Sequence, residues 1–375
     1  MNEHHRASET LAAEASALLV AGNRPESIEK YRQAGELEVQ AFQETSPKSQ
    51  RTRSVLAVSL VSLFYKAGEY DRAEHEIFAL LASRELNCWA QKQLRELLEV
   101  VADERIILEG LDQRYTGEAF TVSLKGGEIG VGTGPLDLVL EKASGFRNLL
   151  YRMAECVAER PLRLRGAPPK ELTDLLQVRT TQPAVGSYRL EMKLTEPAQP
   201  DLFEQPSIEA RQVTDKLFQF LEAVSTGSRD SVELSVPDPR YRRALLQLVQ
   251  NVSPRGKRLE EIALYRATEG APQAVYLTSA LPGRIRKVLP EREVEQGDEP
   301  EELRGVLRAL HLDENWLELI LPVGDHERCD TMPDMLDDVV GPMVNQEVIV
   351  SGVRRKKQGG VRRVLIQEIE LAEPA

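Results

Sequence analysis

Apolar side chains in the first hundred residues recur at the three- and four-residue spacing of amphipathic helices, with short polar breaks between the runs. No stretch in this part alternates as a half-buried strand would. The clearest unit is residues 54–82, SVLAVSLVSLFYKAGEYDRAEHEIFALLA. The pattern predicts stacked helical hairpins over residues 1–106, ending in a capping helix, NCWAQKQLRELLEVVADERI, that covers the last apolar face.

Small, large and turn-forming residues in residues 54–82 follow the spacing of the tetratricopeptide repeat, which this unit resembles. The matching positions are Leu60, Phe64, Gly68, Tyr70 and Ala73. A weaker copy precedes it at Ala15, Leu18, Gly22, Ser27, Tyr31 and Ala34, where Asn23 and Glu26 are predicted to form a capping box. The resemblance implies helical hairpins whose concave face binds a peptide or a helix of a protein partner.

Short extended runs mix with helices from about Ile107 onward. The patterns predict strands at AFTVSLK, LLQVRTTQP, VGSYRLEMKL, SVELSV, RLEEIALYRA and PQAVYLTSA. They predict helices at Pro135 to about Glu159, at 206–226 and at 237–252. Residues 107–200 therefore form a predicted α+β unit, and residues 201–290 either form a second one or complete the first.

An acidic linker over residues 291–300 precedes a last predicted domain, residues 301–375. Its strands are predicted at LRGVLRALHL, WLELILPV, HERCD, QEVIVSGVRR and VRRVLIQEIELAE, with a helix from Pro333 to about Val344. This order resembles the OB-fold, a small Greek-key barrel, although an SH3-like barrel with an inserted helix would give the same pattern. The predicted fold class is multidomain α+β, with an N-terminal helical repeat, central α+β units and a C-terminal small β-barrel.

Composition narrows the class of protein. The 375 residues include 41% hydrophobic and 29% charged side chains, values typical of soluble globular domains. The longest apolar stretch, residues 56–64, is about half of what a membrane-spanning helix needs, and MNEHHRASET lacks the features of a secretory signal. Three scattered cysteines, Cys88, Cys156 and Cys329, fit a reducing compartment. A cytoplasmic, bacterial protein is the expectation.

The glycine-rich stretch GGEIGVGTGPLD, residues 126–137, follows a predicted strand and precedes a predicted helix. Its glycines miss the G-x-G-x-x-G spacing of dinucleotide sites, and Thr133 stands where a P-loop needs lysine. Pro135 and Asp137 instead suit the first turn of a helix. The sequence therefore favours a structural turn over a phosphate site.

No constellation for catalysis or metal binding emerges from the remaining polar residues. His326 and Cys329 lie in HERCD without a second ligand cluster, so a barrel strand is the preferred interpretation. Thr331 and Asp334 read as a helix cap, with Asp337 and Asp338 in the first turn beside it. We predict no enzyme activity, catalytic residue, metal or cofactor.

Clustered cations remain as candidate ligand-binding groups in a chain with a net charge of −12. A groove beside a barrel hairpin and a helix N-terminus could use them to contact a phosphate backbone. The candidate nucleic-acid-binding residues are Arg240, Arg242, Arg243, Arg354, Arg355, Lys356, Lys357, Arg362 and Arg363. Tyr241, between two of them, is a candidate for base stacking.

Two functions follow from these patterns. The first is a non-enzymatic adaptor or scaffold that binds a protein partner through the repeat-like helices, and the whole chain resembles multidomain proteins of bacterial defence or signalling loci. The alternative is a nucleic-acid-binding regulator that uses the basic C-terminal barrel. The sequence leaves open whether the concave face of the hairpins is free for a partner or is filled by the middle of the same chain.

Overall fold

The computed structural model describes most of the chain. The described residues are 3–83, 85–108, 119–130, 133–175, 177–180, 188–195, 209–255, 257–266, 268, 272–289, 299–332, 335–356 and 362–372. They divide into two compact units, each assembled from separate segments. The first unit comprises Met1–Leu136, Arg179–Lys193 and Lys257–Ala280, and the second comprises Asp137–Val178, Leu194–Gly256 and Leu281–Ala375.

The first unit begins with the helices predicted from the apolar periodicity. They are α1 (Glu3–Val20), α2 (Arg24–Glu44), α3 (Gln50–Lys66), α4 (Tyr70–Ser83) and α5 (Cys88–Leu108). Each packs on the next. The turns after α1 and α3 contain Gly22 and Gly68, whose φ angles of 77° and 74° lie in the left-handed region that favours glycine. The helical prediction for this region is confirmed.

The helical layer is held together by the side chains that the sequence pattern placed inside. Leu60, Phe64 and Ala73 are buried in one cluster with residues of α5. Tyr31 and Ala34 are buried in another, against Leu63 of α3 and Ala15 of α1. The predicted capping box is wrong in detail. The Asn23 amide donates to the Glu26 carboxylate at 2.5 Å and makes no hydrogen bond to the backbone of α2.

A five-stranded sheet completes the first unit. Its strands are β1 (Ala119–Lys125), β2 (Gln177–Thr180), β3 (Tyr188–Thr195), β4 (Glu261–Arg266) and β5 (Gln273–Thr278), in the order β2-β3-β1-β4-β5. β1 lies between β3 and β4 and pairs antiparallel with both. Strands from residues 107–200 and from residues 201–290 thus share one sheet.

The second unit contains the other helices of the middle segments. They are α6 (Leu136–Val157), α7 (Lys170–Leu175), α8 (Ala210–Thr226), α9 (Arg229–Ser235), α10 (Pro239–Val252) and α11 (Leu281–Val288). The strand predicted at SVELSV is wrong, since these residues form α9. Ser228 caps this helix by accepting a hydrogen bond from the Ser231 amide, and Val232 and Ser235, one turn apart, are buried.

The C-terminal segment forms a second five-stranded sheet. Its strands are β6 (Glu299–His311), β7 (Trp316–Ile320), β8 (His326–Thr331), β9 (Glu347–Lys356) and β10 (Arg362–Leu371). The sheet closes on itself in the order β10-β8-β7-β6-β9, and β10 runs parallel to β8 but antiparallel to β9. The alternation in the sequence therefore predicted all five strands, but β6 begins at Glu299, within the predicted linker of residues 291–300, because Glu299 and Pro300 pair with β9.

The helix between β8 and β9 is shorter than the predicted span from Pro333 to Val344. It is α12 (Asp337–Val340), followed by a 3-10 turn at Gly341–Met343. Asp337 and Asp338 lie in its first turn, as predicted, but the N-cap is Leu336 and not Thr331 or Asp334. Asp338 pairs with Arg152 and Arg163, and Asp337 accepts a hydrogen bond from the Gly166 amide. Contacts with residues far away in the sequence therefore determine what Asp337 and Asp338 do. Asp334 lies outside the described residues.

Among the described residues, no helix combines the length and the apolar character needed to cross a membrane.

Candidate functional site

The predicted cations of the C-terminal sheet are engaged by carboxylates on neighbouring strands. Arg354 on β9 binds both Glu301, at 2.6 Å from Nη2, and Glu327, at 3.3 Å. Arg363 on β10 lies 3.4 Å from Asp330 of β8. A phosphate backbone would have to compete with these carboxylates for the same guanidinium groups.

The predicted cations of α10 have different environments. Arg242 donates to the carbonyl oxygens of Val236 and Pro237, and Arg243 lies 3.3 Å from Glu368. Arg240 is exposed. Tyr241 is buried and its hydroxyl donates to the Arg160 carbonyl at 3.0 Å, so its ring is not available for base stacking.

The remaining predicted cations are only partly described. Arg355, Lys356 and Arg362 belong to β9 and β10 by their backbone, and Lys357 lies outside the described residues. Nucleic-acid binding by this hairpin stays a prediction.

The half-buried Trp316 of this sheet is already stacked. The Trp316 ring lies parallel to His311, with 5.5 Å between centroids, and the Arg328 guanidinium lies 3.9 Å from the Trp316 centroid. On β8, His326 points to solvent beside Glu318 and Cys329 is buried, as predicted for a barrel strand. Within the described ranges, no group of three or more His, Cys, Asp or Glu side chains could hold a metal ion.

The glycine-rich turn after β1 packs its backbone against residues Lys257 and Arg258. The Glu128 amide donates to the Arg258 carbonyl at 3.0 Å, and Gly127 has a φ of 66°. A Cβ atom on Gly127 would collide with the Lys257 carbonyl oxygen. Close approach of two backbones therefore explains this glycine, independently of any ligand.

Replacing Gly127 with alanine is expected to lower the free energy of unfolding by about 2–3 kcal/mol, because a left-handed backbone and a steric collision add together. Gly68→Ala is the matched control, since Gly68 has a similar φ but open space around its Cβ position. It should cost only about 1–2 kcal/mol. Urea unfolding of the two variants measures the difference, and equal losses would contradict the steric explanation.

A cluster of buried charges joins the helices of the first unit to its sheet. Glu104 of α5 is 0% exposed, and its carboxylate lies 2.9 Å from Lys125 of β1 and 3.3 Å from Arg189 of β3. Lys125 also donates to the Tyr265 hydroxyl of β4 at 2.9 Å, and that hydroxyl donates to Glu104 at 3.3 Å. The face of α5 that carries Glu104 is thus covered by the sheet of the same unit.

Mutual pairing keeps these groups ionised despite their burial. Burial by itself raises the pKa of Glu104, but Lys125 and Arg189 lower it below its ordinary value. Burial by itself lowers the pKa of Lys125, yet Tyr265 and Glu104 raise it well above its ordinary value. The cluster is a charged contact that is stable at neutral pH.

A cavity of about 290 Å³ lies next to this cluster, between the helices and the sheet of the first unit. Its walls are mostly aliphatic and aromatic, and its volume is near the lower end of small-molecule sites, about 300 Å³. It is lined by Leu19, Arg24, Ser27, Ile28, Tyr31, Tyr65, Lys66, Tyr70, Leu97, Val100, Leu124, Lys125, Gly126, Ile129, Gly130, Glu260 and Glu261. The glycine-rich turn therefore contributes Gly126, Ile129 and Gly130 to one wall.

The helix faces that line the cavity continue beyond it towards the N-terminal ends of α3 and α5. Lys66 of α3 and Val100 of α5 line the cavity, and Val55 and Trp89 lie about three turns before them on the same faces of these helices. Val55 is 46% and Trp89 43% exposed. The two helix ends are adjacent, because the Asn87 amide donates to the Ser54 hydroxyl at 2.9 Å. This exposed pair, Val55 and Trp89, is called the open groove below.

No protein-family model, curated protein or solved structure matches the chain. The functional argument therefore depends on the geometry of its own residues.

The sequence patterns did not reveal the buried cluster or the cavity. One signal was present, because Glu104 falls on the apolar face of α5 four residues after Val100. A charge on an apolar face indicates a buried partner. Its partners come from strands far away in the sequence, and Tyr265 is 161 residues from Glu104.

Proposed function

We propose that the protein is a non-enzymatic adaptor that binds a protein partner through the open groove of its N-terminal helices. The observation that carries the proposal is the pair of exposed apolar side chains, Val55 and Trp89, on the faces of α3 and α5 that are covered elsewhere by the sheet. Large exposed apolar side chains that continue a buried face are typical of interaction surfaces, and tryptophan is enriched at their centres.

The partner is a short amphipathic helix or an apolar peptide. Two neighbouring parallel helices such as α3 and α5 form a shallow groove, and the apolar face of one helix fits such a groove. The sheet restricts the groove to the end near Val55 and Trp89, because the other end holds the Glu104 and Lys125 contact. The open part is therefore short, and it fits a segment of a few turns better than a long helix.

We also propose that the N-terminal helices and the C-terminal sheet resemble two known arrangements. A tetratricopeptide-like arrangement of α1 to α5 is supported by the buried signature positions and by the left-handed glycines in the turns. An OB-like arrangement of the C-terminal sheet is supported by its strand order and by α12 between β8 and β9. The first resemblance fits a protein-binding role.

Replacing both Val55 and Trp89 with glutamate is expected to abolish capture of the partner, because two charges would have to be buried in an apolar contact. Full-length protein serves as bait in native bacterial lysate, with and without nuclease, and bound proteins are identified by mass spectrometry. The affinity of each purified candidate is then measured by calorimetry. The single change Trp89→Ala should weaken binding by at least about tenfold, as for a central interface side chain.

Phe78→Glu is the matched control for these variants. Phe78 is 55% exposed and lies on α4, away from the faces of α3 and α5 that form the groove. It should bind the partner as the unaltered protein does. Binding of the partner that persists in the variant with both groove substitutions would contradict the proposal. Recovery of nucleic acid that decreases as the salt concentration rises would support the alternative function of the C-terminal sheet.

A further inference from the structure

We propose that the cavity of the first unit is a binding site for an uncharged aromatic small molecule that carries hydrogen-bond acceptors such as a carbonyl oxygen or a ring nitrogen. The site lies apart from the open groove, and the inference does not depend on the adaptor function. Three properties of the cavity support this proposal. Its buried charged side chains are paired with opposite charges, two tyrosine hydroxyls line it, and the rest of its lining is mostly apolar.

The buried charges at the cavity neutralise one another, which disfavours a charged ligand. Lys125 is paired with Glu104. Arg24 stacks on the Tyr276 ring at 3.6 Å and lies 3.6 Å from Glu261, which is itself buried. An ionised ligand would lose its hydration and find no uncompensated opposite charge among these groups, so a neutral ligand is favoured.

The other charged lining residues, Lys66 and Glu260, are exposed to solvent. Hydrated side chains on flexible stems offset little of the desolvation cost of a buried ion. They therefore leave the preference for an uncharged ligand unchanged.

Two phenol groups provide the polar recognition. Tyr65 and Tyr70 line the cavity with their rings in an edge-to-face contact, 5.9 Å between centroids. Within the described part of the chain, neither hydroxyl has a hydrogen-bond partner, and burial raises the pKa of Tyr65 to about 12. Both hydroxyls thus stay protonated and can donate. Both tyrosines are half-buried, so water can reach their hydroxyls in the free protein. A ligand that covered these donors without accepting a hydrogen bond would leave them unpaired, which is costly, so a ligand with acceptors is favoured.

The apolar side chains that line the cavity determine the shape and polarity of the ligand that fits it. Tyr31 closes the cavity beside Ile28 on α2, while Leu97 and Val100 of α5 and Leu124 of β1 contribute aliphatic side chains. Aromatic rings and branched aliphatic side chains favour a flat apolar body through dispersion and ring contacts. A molecule of two or three fused or linked rings suits the observed volume.

Fluorescence titration with Prodan, an uncharged naphthalene with a ketone acceptor, tests this site in the full-length protein. We expect saturable binding of one molecule per chain, with emission shifted to shorter wavelength by an apolar environment. Val100→Trp and, independently, Leu97→Trp fill the cavity and should abolish the saturable signal. Tyr65→Phe and Tyr70→Phe keep the walls but remove a donor, and each should raise Kd about fivefold.

Controls separate the cavity from other apolar surfaces. Tyr151→Phe removes a hydroxyl from α6 in the other unit, and the open-groove change Trp89→Ala leaves the cavity lining intact; both should bind Prodan unchanged. Circular dichroism identifies any variant that has not folded, and only folded variants are compared.

Three results would overturn the inference. One is Prodan binding that persists in both folded tryptophan variants. Another is tighter binding of the anionic anilinonaphthalene sulfonate than of Prodan at the same site. The last is the absence of saturable binding by both Prodan and the uncharged purine caffeine up to their solubility limits. Because the groove variants report partner capture and the cavity variants report probe binding, failure of either proposal is distinguishable from failure of the other.

Discussion

Replacing Glu104 with leucine is expected to lower the free energy of unfolding of the first unit by about 3–5 kcal/mol, the usual cost of removing one partner of a buried ion pair. The carboxylate is fully buried and serves two cations, Lys125 and Arg189, at 2.9 and 3.3 Å. Leucine has a similar volume, so packing loss contributes little. The cost comes from leaving two positive charges in the interior without a compensating negative charge.

Urea unfolding followed by circular dichroism measures this loss, and hydrogen exchange assigns it to α5, β1 and β3. Glu99→Leu is the matched control, since Glu99 lies on the same helix and is exposed. Its effect should stay within about 0.5 kcal/mol. A loss below about 1 kcal/mol for Glu104→Leu would show that the cluster is hydrated rather than buried.

The ion pair of Glu104 and Lys125 also predicts how the stability of the first unit changes with pH. The folded-state pKa of Glu104 is lowered, so its contribution is present above the ordinary glutamate pKa, about 4.3, and disappears as pH falls through the lower, folded-state pKa. The stability difference between the unaltered protein and Glu104→Leu should therefore narrow in acid. The folded-state pKa of Lys125 is raised, so its contribution is complete below about pH 10.4 and is lost only as pH rises through the folded-state value.

Replacing Arg152 with methionine is expected to lower the free energy of unfolding of the second unit by about 3–5 kcal/mol. The Arg152 guanidinium is 0% exposed and joins three groups of the unit. It donates to Glu155 at 3.0 Å, to the Arg163 carbonyl at 2.6 Å and to Asp338 at the start of α12. Methionine retains the length of the stem, so the change removes the charge and its hydrogen bonds while it largely preserves the packing.

Calorimetric unfolding of Arg152→Met measures this effect, with Arg147→Met on the same helix as an exposed control. Arg163 also pairs with Glu155, at 2.7 Å, and with Asp338, at 3.4 Å. Neutralising Asp338 alone in the Arg152→Met background, with Asp338→Asn, should therefore recover part of the loss, because Arg163 and Glu155 then remain as a balanced pair. A double variant less stable than Arg152→Met alone would contradict this account.

The helical layer and the strands of the C-terminal sheet could be predicted because their signals are local. Leu60 and Phe64 are one turn apart on α3, and the buried Leu317, Leu319 and Cys329 alternate with neighbours on β7 and β8 that are less buried. Periodicity of this kind reports which face of an element is buried. It fails for a short segment, and α9 was predicted as a strand because seven residues fit both periods and the Ser228 cap decided between them.

By itself, then, the sequence determined the helical N-terminus, the order of strands and helix at the C-terminus and the buried faces of most elements. Only the tertiary structure decided that β1, β3 and β4 meet beside α5, so that Glu104, Lys125 and Tyr265 form one cluster next to a cavity. The same holds for Asp338, whose role depends on Arg152, 186 residues away. Periodicity records local exposure, whereas the identity of a buried partner depends on which distant segments pack together, and that is set by the free energy of the whole fold.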